Sequence, residues 1–215
     1  MAPGVKSSDP EAPTWRSRQA EATKDRVAEA ARRLFARDGY SATSIDVIAR
    51  EAGVAVRTVY SAFGTKREIL SRICEDWLTR ARARETAEEV LAEPDPRRRV
   101  RAAAGWLVDL YGAGFDVVLL FESATDEGAE TAELLRAKLA GRDRVMDRFI
   151  HSLKADLAVP VPEAQAVYRA LAAPGIYREL VEKAGWHRER LVDWLDDTLS
   201  RHILRCPGAP DAQLV

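Results

Sequence analysis

Apolar side chains recur along most of the chain at spacings of three and four residues, which is the period of an amphipathic helix. The segment from 43 to 63 shows this pattern twice, once on each side of Gly53. The apolar positions are Ile45, Ile48 and Ala49 before the glycine, and Val59 and Phe63 after it. Glycine tolerates the positive φ with which helices commonly end. We therefore predict a helix-turn-helix, whose second helix has the width of a DNA major groove.

Hydroxyl residues precede three predicted helices in the first third of the chain. A Ser or Thr oxygen at a helix start accepts a hydrogen bond from one of the first backbone N–H groups, which have no partner within the helix. The predicted caps are Thr23, Thr43 and Thr65, and Glu68 completes a capping box with the last of these. We expect the first helix to end at Gly39 and the fourth to end at the proline-containing break of residues 93–96.

Four more helices are predicted over residues 97–112, 127–157, 163–184 and 188–204. The run FDVVLLF at 115–121 has the composition of a strand, yet no second candidate strand could pair with it, so we predict a buried helix. Pro174 and Gly175 should kink the penultimate helix. The last helix carries a wide apolar stripe, which either closes the domain or packs against a second copy of the chain.

The second helix of the helix-turn-helix leaves a polar set off its apolar face: Arg57, Thr58, Tyr60 and Ser61. No acidic residue occurs from Val56 to Lys66. A helix face without carboxylates suits a polyanion such as DNA. Two short helices around a glycine turn also occur in many helical domains that do not bind nucleic acid, so this pattern alone leaves both interpretations open.

Composition restricts the class of protein. The 215 residues are 47% hydrophobic and 31% charged, which is ordinary for a globular protein. No apolar run approaches the roughly 20 residues that span a bilayer, and the first fifteen residues lack the apolar core of a signal peptide. Cys74 and Cys206 form neither a metal-ligand spacing nor a disulfide framework. We expect a cytoplasmic protein.

Charge is distributed unevenly along the chain. The first 72 residues hold 13 Lys and Arg against 9 Asp and Glu, which leaves 20 and 25 of the chain's 33 and 34 for the remainder. A basic first third on an acidic remainder is typical of a small nucleic-acid-binding head on a body with another task.

A longer pattern begins at Thr43: T-S-x-x-x-I-A-x-x-A-G-V-x-x-x-T-x-Y-x-x-F-x-x-K-x-x-I-L. Together with the helix before it, this stretch resembles the N-terminal signature of the TetR (tetracycline-repressor-like) transcriptional regulators over residues 23 to 73. Three positions depart from the usual pattern, namely Ala55, Ala62 and Arg67. Ala55 stands where the family often has a capping Ser.

The resemblance implies an all-α fold, with a three-helix N-terminal DNA-binding head joined to a helical C-terminal ligand-binding and dimerisation domain. We expect a flexible arm over 1–22, the helix-turn-helix domain over 23–72, the helical domain over 73–206 and a tail over 207–215. Residues Trp15–Ala22 carry two arginines and could either extend the first helix or lie along DNA.

Roles in DNA binding follow from this placement. Arg57 is the best candidate for reading a guanine edge, and Thr58 and Ser61 could reach bases or phosphates. Thr43, Tyr60 and Lys66 match positions at which the family usually contacts phosphate. The resemblance also implies a homodimer through the last two helices on a palindromic operator.

The same resemblance implies a repressor that a small-molecule effector releases from DNA. The aromatic residues that could line an effector pocket are Trp77, Trp106, Tyr111, Phe115, Phe121 and Tyr168. These residues point to an apolar or aromatic effector, although aromatics at helical spacing are also typical of a plain core. The alternative function is a helical ligand-binding protein with a vestigial head.

The sequence contains no recognisable catalytic motif. His151, His187 and His202 fall on separate predicted helices, and no GxSxG, P-loop or GxGxxG is present. We expect no enzyme activity, no metal and no cofactor.

Overall fold

A computed structural model of the protein describes residues 14–124 and 129–205. The described residues form helices and no named strand. The helices are α1 Trp15–Asp38, α2 Ile45–Glu51, α3 Val56–Phe63, α4 Lys66–Arg80, α5 Ala83–Ala92, α6 Pro96–Gly112, α7 Phe115–Ser123, α8 Ala129–Ser152, α9 Val161–Leu171, α10 Pro174–Tyr177 and α11 Arg188–Ile203, with a π-helical segment Arg178–Lys183 between the last two. The all-α prediction is confirmed. The first 13 residues of the predicted arm, Cys206 and the predicted tail 207–215 lie outside the described residues.

The chain divides into two compact units, with the boundary between Ile73 and Cys74 inside α4. We call the first unit the head and the second the body. In the head, α1 packs against both α2 and α3. Its core consists of Val27, Ala31, Leu34, Phe35, Ile48, Val59, Ile69 and Leu70, all at most 2% exposed. Burying a side chain of this kind contributes about 1.5–3 kcal/mol, so the apolar spacing of these helices is what assembles the head.

The first helix begins eight residues earlier than predicted, at Trp15. Thr14 is the cap, and its hydroxyl accepts a hydrogen bond from Ser17 N at 3.2 Å. The proposed cap Thr23 lies inside the helix, where its hydroxyl donates to Gln19 O at 2.9 Å. The predicted arm over 1–22 is therefore helical from Trp15 onward.

The cap of α2 also differs from the prediction. Ser44 precedes the helix in extended backbone conformation, and its hydroxyl accepts from Val47 N at 3.3 Å. Thr43 is one residue too early, and its hydroxyl donates instead to Gly39 O at 2.8 Å. Because Thr43 and Ser44 are adjacent and both carry a hydroxyl, the sequence alone does not indicate which of them caps α2.

The body is built around α6, which packs against α5, α7 and α11. Nine of its seventeen residues are buried, so only a narrow face of α6 is left for polar side chains. On the outside, the guanidinium of Arg188 donates to both carboxylate oxygens of Asp109, at N–O distances of 2.5 and 2.7 Å. This ion pair ties the start of α11 to α6. The FDVVLLF run is a helix, α7, as predicted.

The predicted fourth helix is two helices, α4 and α5. Between them Arg82 has φ 48° and ψ 36°, the left-handed conformation. Neither glycine nor proline marks this position, so the break could not be predicted from local sequence. The predicted penultimate helix, 163–184, is not a single kinked helix: α9 ends at Leu171, and the chain continues from Pro174 as α10 and the π-helical segment.

The apolar stripe of α11 faces the body's own core. Leu191, Leu195, Leu199 and Ile203 are at most 2% exposed, whereas Trp194 and Thr198 are only half-buried. Of the two alternatives for this helix, closure of the body accounts for most of the stripe.

Among the described residues no single helix combines the length and hydropathy of a membrane span, and only the pair α6 and α7, bent by 74°, satisfies both criteria together.

Candidate nucleic-acid interface and ligand cavity

The polar face of α3 is exposed to solvent. Val59 is completely buried and Phe63 half-buried, and these two residues fix how the helix rests on α1 and α2. The four side chains predicted to contact DNA from this helix are all exposed: Arg57, Thr58, Tyr60 and Ser61. Tyr60, 52% exposed, is one of the largest exposed apolar side chains of the described residues. The geometry brings this set onto one surface.

The turn that sets the angle of α3 depends on Gly53. Its φ is 65°, a conformation that costs other residues about 1–2 kcal/mol. The following Val54 donates its backbone N–H to Ala49 O at 3.0 Å, which closes the end of α2.

The start of α3 offers free backbone donors. Ala55 occupies the N-cap position with φ −69° and ψ 143°, and no side chain of the described residues caps the helix there. Both Thr58 N and Val59 N point to Ala55 O. The first two N–H groups of α3 therefore remain available, and a helix N-terminus favours an anion such as phosphate.

The other two predicted phosphate contacts are turned toward the head itself. The ammonium of Lys66 donates to Tyr40 O at 2.6 Å and to Thr43 O at 3.1 Å. It also lies over the Tyr40 ring, 4.1 Å from the centroid. Thr43 is 2% exposed. Both residues hold the loop between α1 and α2 against the start of α4, and their contact with phosphate stays a prediction.

A small cavity lies in the body among α5, α6, α8 and α9. Its volume is about 10 Å³, counted as the space that the centre of a water-sized sphere can occupy, which is enough for one water molecule. Its walls are Ala87, Val90, Leu91, Ala103, Trp106, Val145, Met146, Phe149 and Tyr168. Leu91 and Val145 are half-buried, so the cavity approaches the surface between α5 and α8.

Two of the six aromatic residues predicted to line a pocket, Trp106 and Tyr168, form walls of this cavity. The indole N–H of Trp106 donates to Ala83 O at 2.9 Å, and the hydroxyl of Tyr168 lies 3.5 Å from Ala103 O. Burial raises the pKa of Tyr168. Both side chains therefore present apolar surface to the cavity and place their polar atoms on backbone carbonyls.

The other four aromatics lie elsewhere in the body. Tyr111 and Phe115 pack edge to face, with ring centroids 5.9 Å apart. Phe121 is buried on α7. Trp77 donates its indole N–H to Leu110 O at 2.8 Å. A Cβ at Gly114 would come within 2.6 Å of the Trp77 ring, so only glycine fits at that turn.

The sequence-based prediction missed the aliphatic walls and Met146, because it considered only aromatic side chains, and it missed Phe149, which was assigned to the apolar face of a helix and not to a pocket. The period of α8 was the available signal, since Val145, Met146 and Phe149 fall on one face of that helix.

The described residues contain no group of three or more His, Cys, Asp and Glu side chains placed to hold a metal ion. Burial raises the pKa of Cys74 to about 11, so this thiol is protonated at neutral pH.

Comparison with known proteins identifies the family. The model for bacterial regulatory proteins of the tetR family matches residues 27–73. An HTH-type transcriptional repressor of Streptomyces coelicolor, SCO4008, is 30% identical over 175 residues, which cover 79% of this chain and 80% of that protein. The chain belongs to the TetR family.

Solved structures show the same fold at lower identity. The TetR-family regulator PfmR of Thermus thermophilus superposes with a TM-score of 0.68 at 20% identity, over 84% of this chain and all of that one. FadR of Bacillus subtilis, solved with stearoyl-CoA, gives 0.67 at 15% identity, over 81% of this chain and 96% of that one. As a TetR-family member, the protein is a DNA-binding transcriptional regulator with a helix-turn-helix head and a helical C-terminal domain.

Proposed function

We propose that this TetR-family regulator is a homodimeric repressor that binds a palindromic operator and leaves it when a small apolar molecule enters the body. The exposed face of α3 carries the proposal, because it presents a guanidinium, two hydroxyls and a phenol with no carboxylate among them.

Arg57 has the best position for base recognition. It is exposed in the first turn of α3, and the N-terminal residues of a recognition helix are those that contact base edges. An arginine binds the O6 and N7 atoms of guanine through two hydrogen bonds. Thr58 and Ser61 flank it, and Tyr60 is placed for phosphate.

Support for an effector comes from the body. The residues that form the cavity walls are almost entirely apolar, and an apolar cavity is the usual site of an apolar ligand. FadR of Bacillus subtilis was solved with stearoyl-CoA, which is an instance of a ligand with a long apolar chain on this fold.

Repression agrees with the name of the Streptomyces coelicolor relative, a transcriptional repressor. The alternative of a ligand-binding protein with a vestigial head is not favoured, because α3 keeps a complete exposed polar face.

The proposal is tested by selecting binding sites from a random duplex pool at near-physiological salt. We expect an inverted repeat whose half-sites lie about one helical turn or more apart. Arg57→Ala should cost about 1–3 kcal/mol on the selected site and relax the preference at one base pair, because a bidentate contact to one base is lost.

The matched control is Arg50→Ala, which removes an exposed arginine from α2 instead of α3. It should leave the preferred sequence unchanged. Equal losses for Arg57→Ala on the selected site and on random duplex would remove Arg57 from base recognition, and a pool without any enriched sequence would contradict operator binding.

A further inference from the structure

Arg142 is a charged residue near the body cavity, although it is not one of the wall residues: its charge acts on the wall residue Tyr168. Arg142 is on α8, four residues and so about one turn before Met146, which forms a cavity wall. Its side chain is 25% exposed. The guanidinium contacts its neighbour in sequence, Asp143, through a single carboxylate oxygen at 3.1 and 3.3 Å. Adjacent residues of a helix do not face each other, so a better placed carboxylate can replace this partner.

Contacts between α6 and α8 support this position of Arg142. Near one end of α6, Arg99 donates to Ser152 O at 2.7 Å, whereas Trp106 meets Met146 at the cavity. The two helices therefore run antiparallel. Moving along α6 from Trp106 to Tyr111 and moving back along α8 from Met146 to Arg142 therefore lead in the same direction, to one level of the body.

The α9 helix supplies the third side of this level. Tyr168 forms a cavity wall, and one turn later Ala172 O accepts a hydrogen bond from the Tyr111 hydroxyl. Burial raises the pKa of Tyr111, and the positive charge of Arg142 acts against that effect. The guanidinium thus lies close to a buried phenol, just beyond the apolar walls.

An apolar cavity beside an arginine whose partner, Asp143, can be replaced favours an amphipathic anion, which takes the place of that carboxylate. A neutral apolar ligand gains nothing from Arg142, and a cationic ligand is repelled by it. A carboxylate is ionised at neutral pH and matches the planar guanidinium with two parallel hydrogen bonds.

We propose that the effector is an apolar monocarboxylic acid, whose carboxylate binds Arg142 and whose tail lies between Trp106, Met146 and Tyr168. The inference rests on the proposed effector function of the body. The cavity must widen to take such a tail, and Met146 is the wall residue best suited to move, because its unbranched side chain has three rotatable bonds. The half-buried Leu91 and Val145 mark where the tail enters.

The test measures binding of decanoate and of decanamide to the full chain by calorimetry, without DNA. The wild-type protein should bind decanoate at least about tenfold more tightly, since a hydrogen bond between charged groups is lost with the amide. Arg142→Gln should bind both compounds equally, and Arg142→Lys should keep a preference for the acid. Arg144→Gln, an exposed arginine on the same helix, is the matched control and should behave as wild type.

A second variant tests the place of the tail. Ala87→Leu fills the cavity from α5 and should abolish binding of both compounds; unchanged decanoate binding by a folded Ala87→Leu protein would overturn the location. The inference is also overturned if the wild type binds neither compound, if it binds decanamide as well as decanoate, if Arg142→Gln keeps the preference, or if decanoyl-CoA, which lacks the carboxylate, binds more tightly than decanoate. Operator selection is a separate measurement, so a failure of DNA binding and a failure of acid binding are distinguished.

Discussion

At the residue scale, the head contains polar side chains of two kinds. Arg57 and Tyr60 are exposed on α3, and their place could be predicted because the apolar spacing of Val59 and Phe63 fixes which face is buried. Thr43 and Lys66 instead satisfy backbone carbonyls. The sequence could not predict those contacts, because the partners of Lys66 lie 23 and 26 residues away along the chain.

Lys66 is therefore expected to stabilise the head as well as to support DNA binding. Lys66→Met should lower the free energy of unfolding by about 2 kcal/mol, because two partly buried carbonyls lose a charged donor. Affinity should fall alike for operator and random duplex. Urea unfolding monitored together with DNA binding measures both quantities.

Arg57→Ala provides the comparison for that measurement. An exposed side chain without such contacts should change stability by less than about 0.5 kcal/mol. A Lys66→Met protein as stable as wild type would show that its contacts with the carbonyls contribute nothing measurable.

At the scale of helices, the sequence predicted existence and type better than ends. Each region predicted to be helical contains a helix, including α7, whose strand-like composition was outweighed by the lack of a partner strand. Several errors remained, of which the first is that α1 begins at Trp15 and not at Thr23. Adjacent hydroxyl residues concealed the true cap at Ser44, and the left-handed Arg82 broke a helix where the sequence has no breaking residue. In the body, the cavity walls come from four helices, so no local pattern could assemble them.

The uncapped start of α3 gives a prediction at this scale. Ala55 already has the extended backbone of an N-cap, so Ala55→Ser should raise the free energy of unfolding by about 1 kcal/mol through a hydrogen bond from serine to a free N–H group.

Ala62→Ser places the same residue in the last turn of α3, where its hydroxyl cannot cap the free N–H groups at the helix start and serine is the poorer helix former. It should give no gain. Chemical denaturation of both variants decides, and equal effects would show that capping is not the source of the stabilisation.

At the scale of the whole molecule, the division of labour was predictable from charge and motif. The basic first third contains the helix-turn-helix, and the acidic remainder contains the cavity. The use of α11 was less predictable, since the same apolar stripe could close the body or face a second copy. Burial of Leu191, Leu195 and Leu199 assigns it to the body, so a dimer through the last two helices must use what remains exposed on them.

That remaining surface gives the last prediction. Ala170 on α9 is exposed and Thr198 on α11 is half-buried, and α9 and α11 contact each other. In a dimer through these helices, Ala170→Arg or Thr198→Arg would bury an unpaired charge between the copies, at a cost of several kcal/mol. Sedimentation should therefore change from twice the chain mass of 23.9 kDa to that mass alone.

Because only a two-fold dimer places two recognition helices on an inverted repeat, the selected site should shrink to a single half-site. Glu133→Arg reverses the charge of an exposed residue on α8, which is neither of these two helices, and should preserve dimer and palindrome. Variants at 170 and 198 that stay dimeric would place the interface elsewhere.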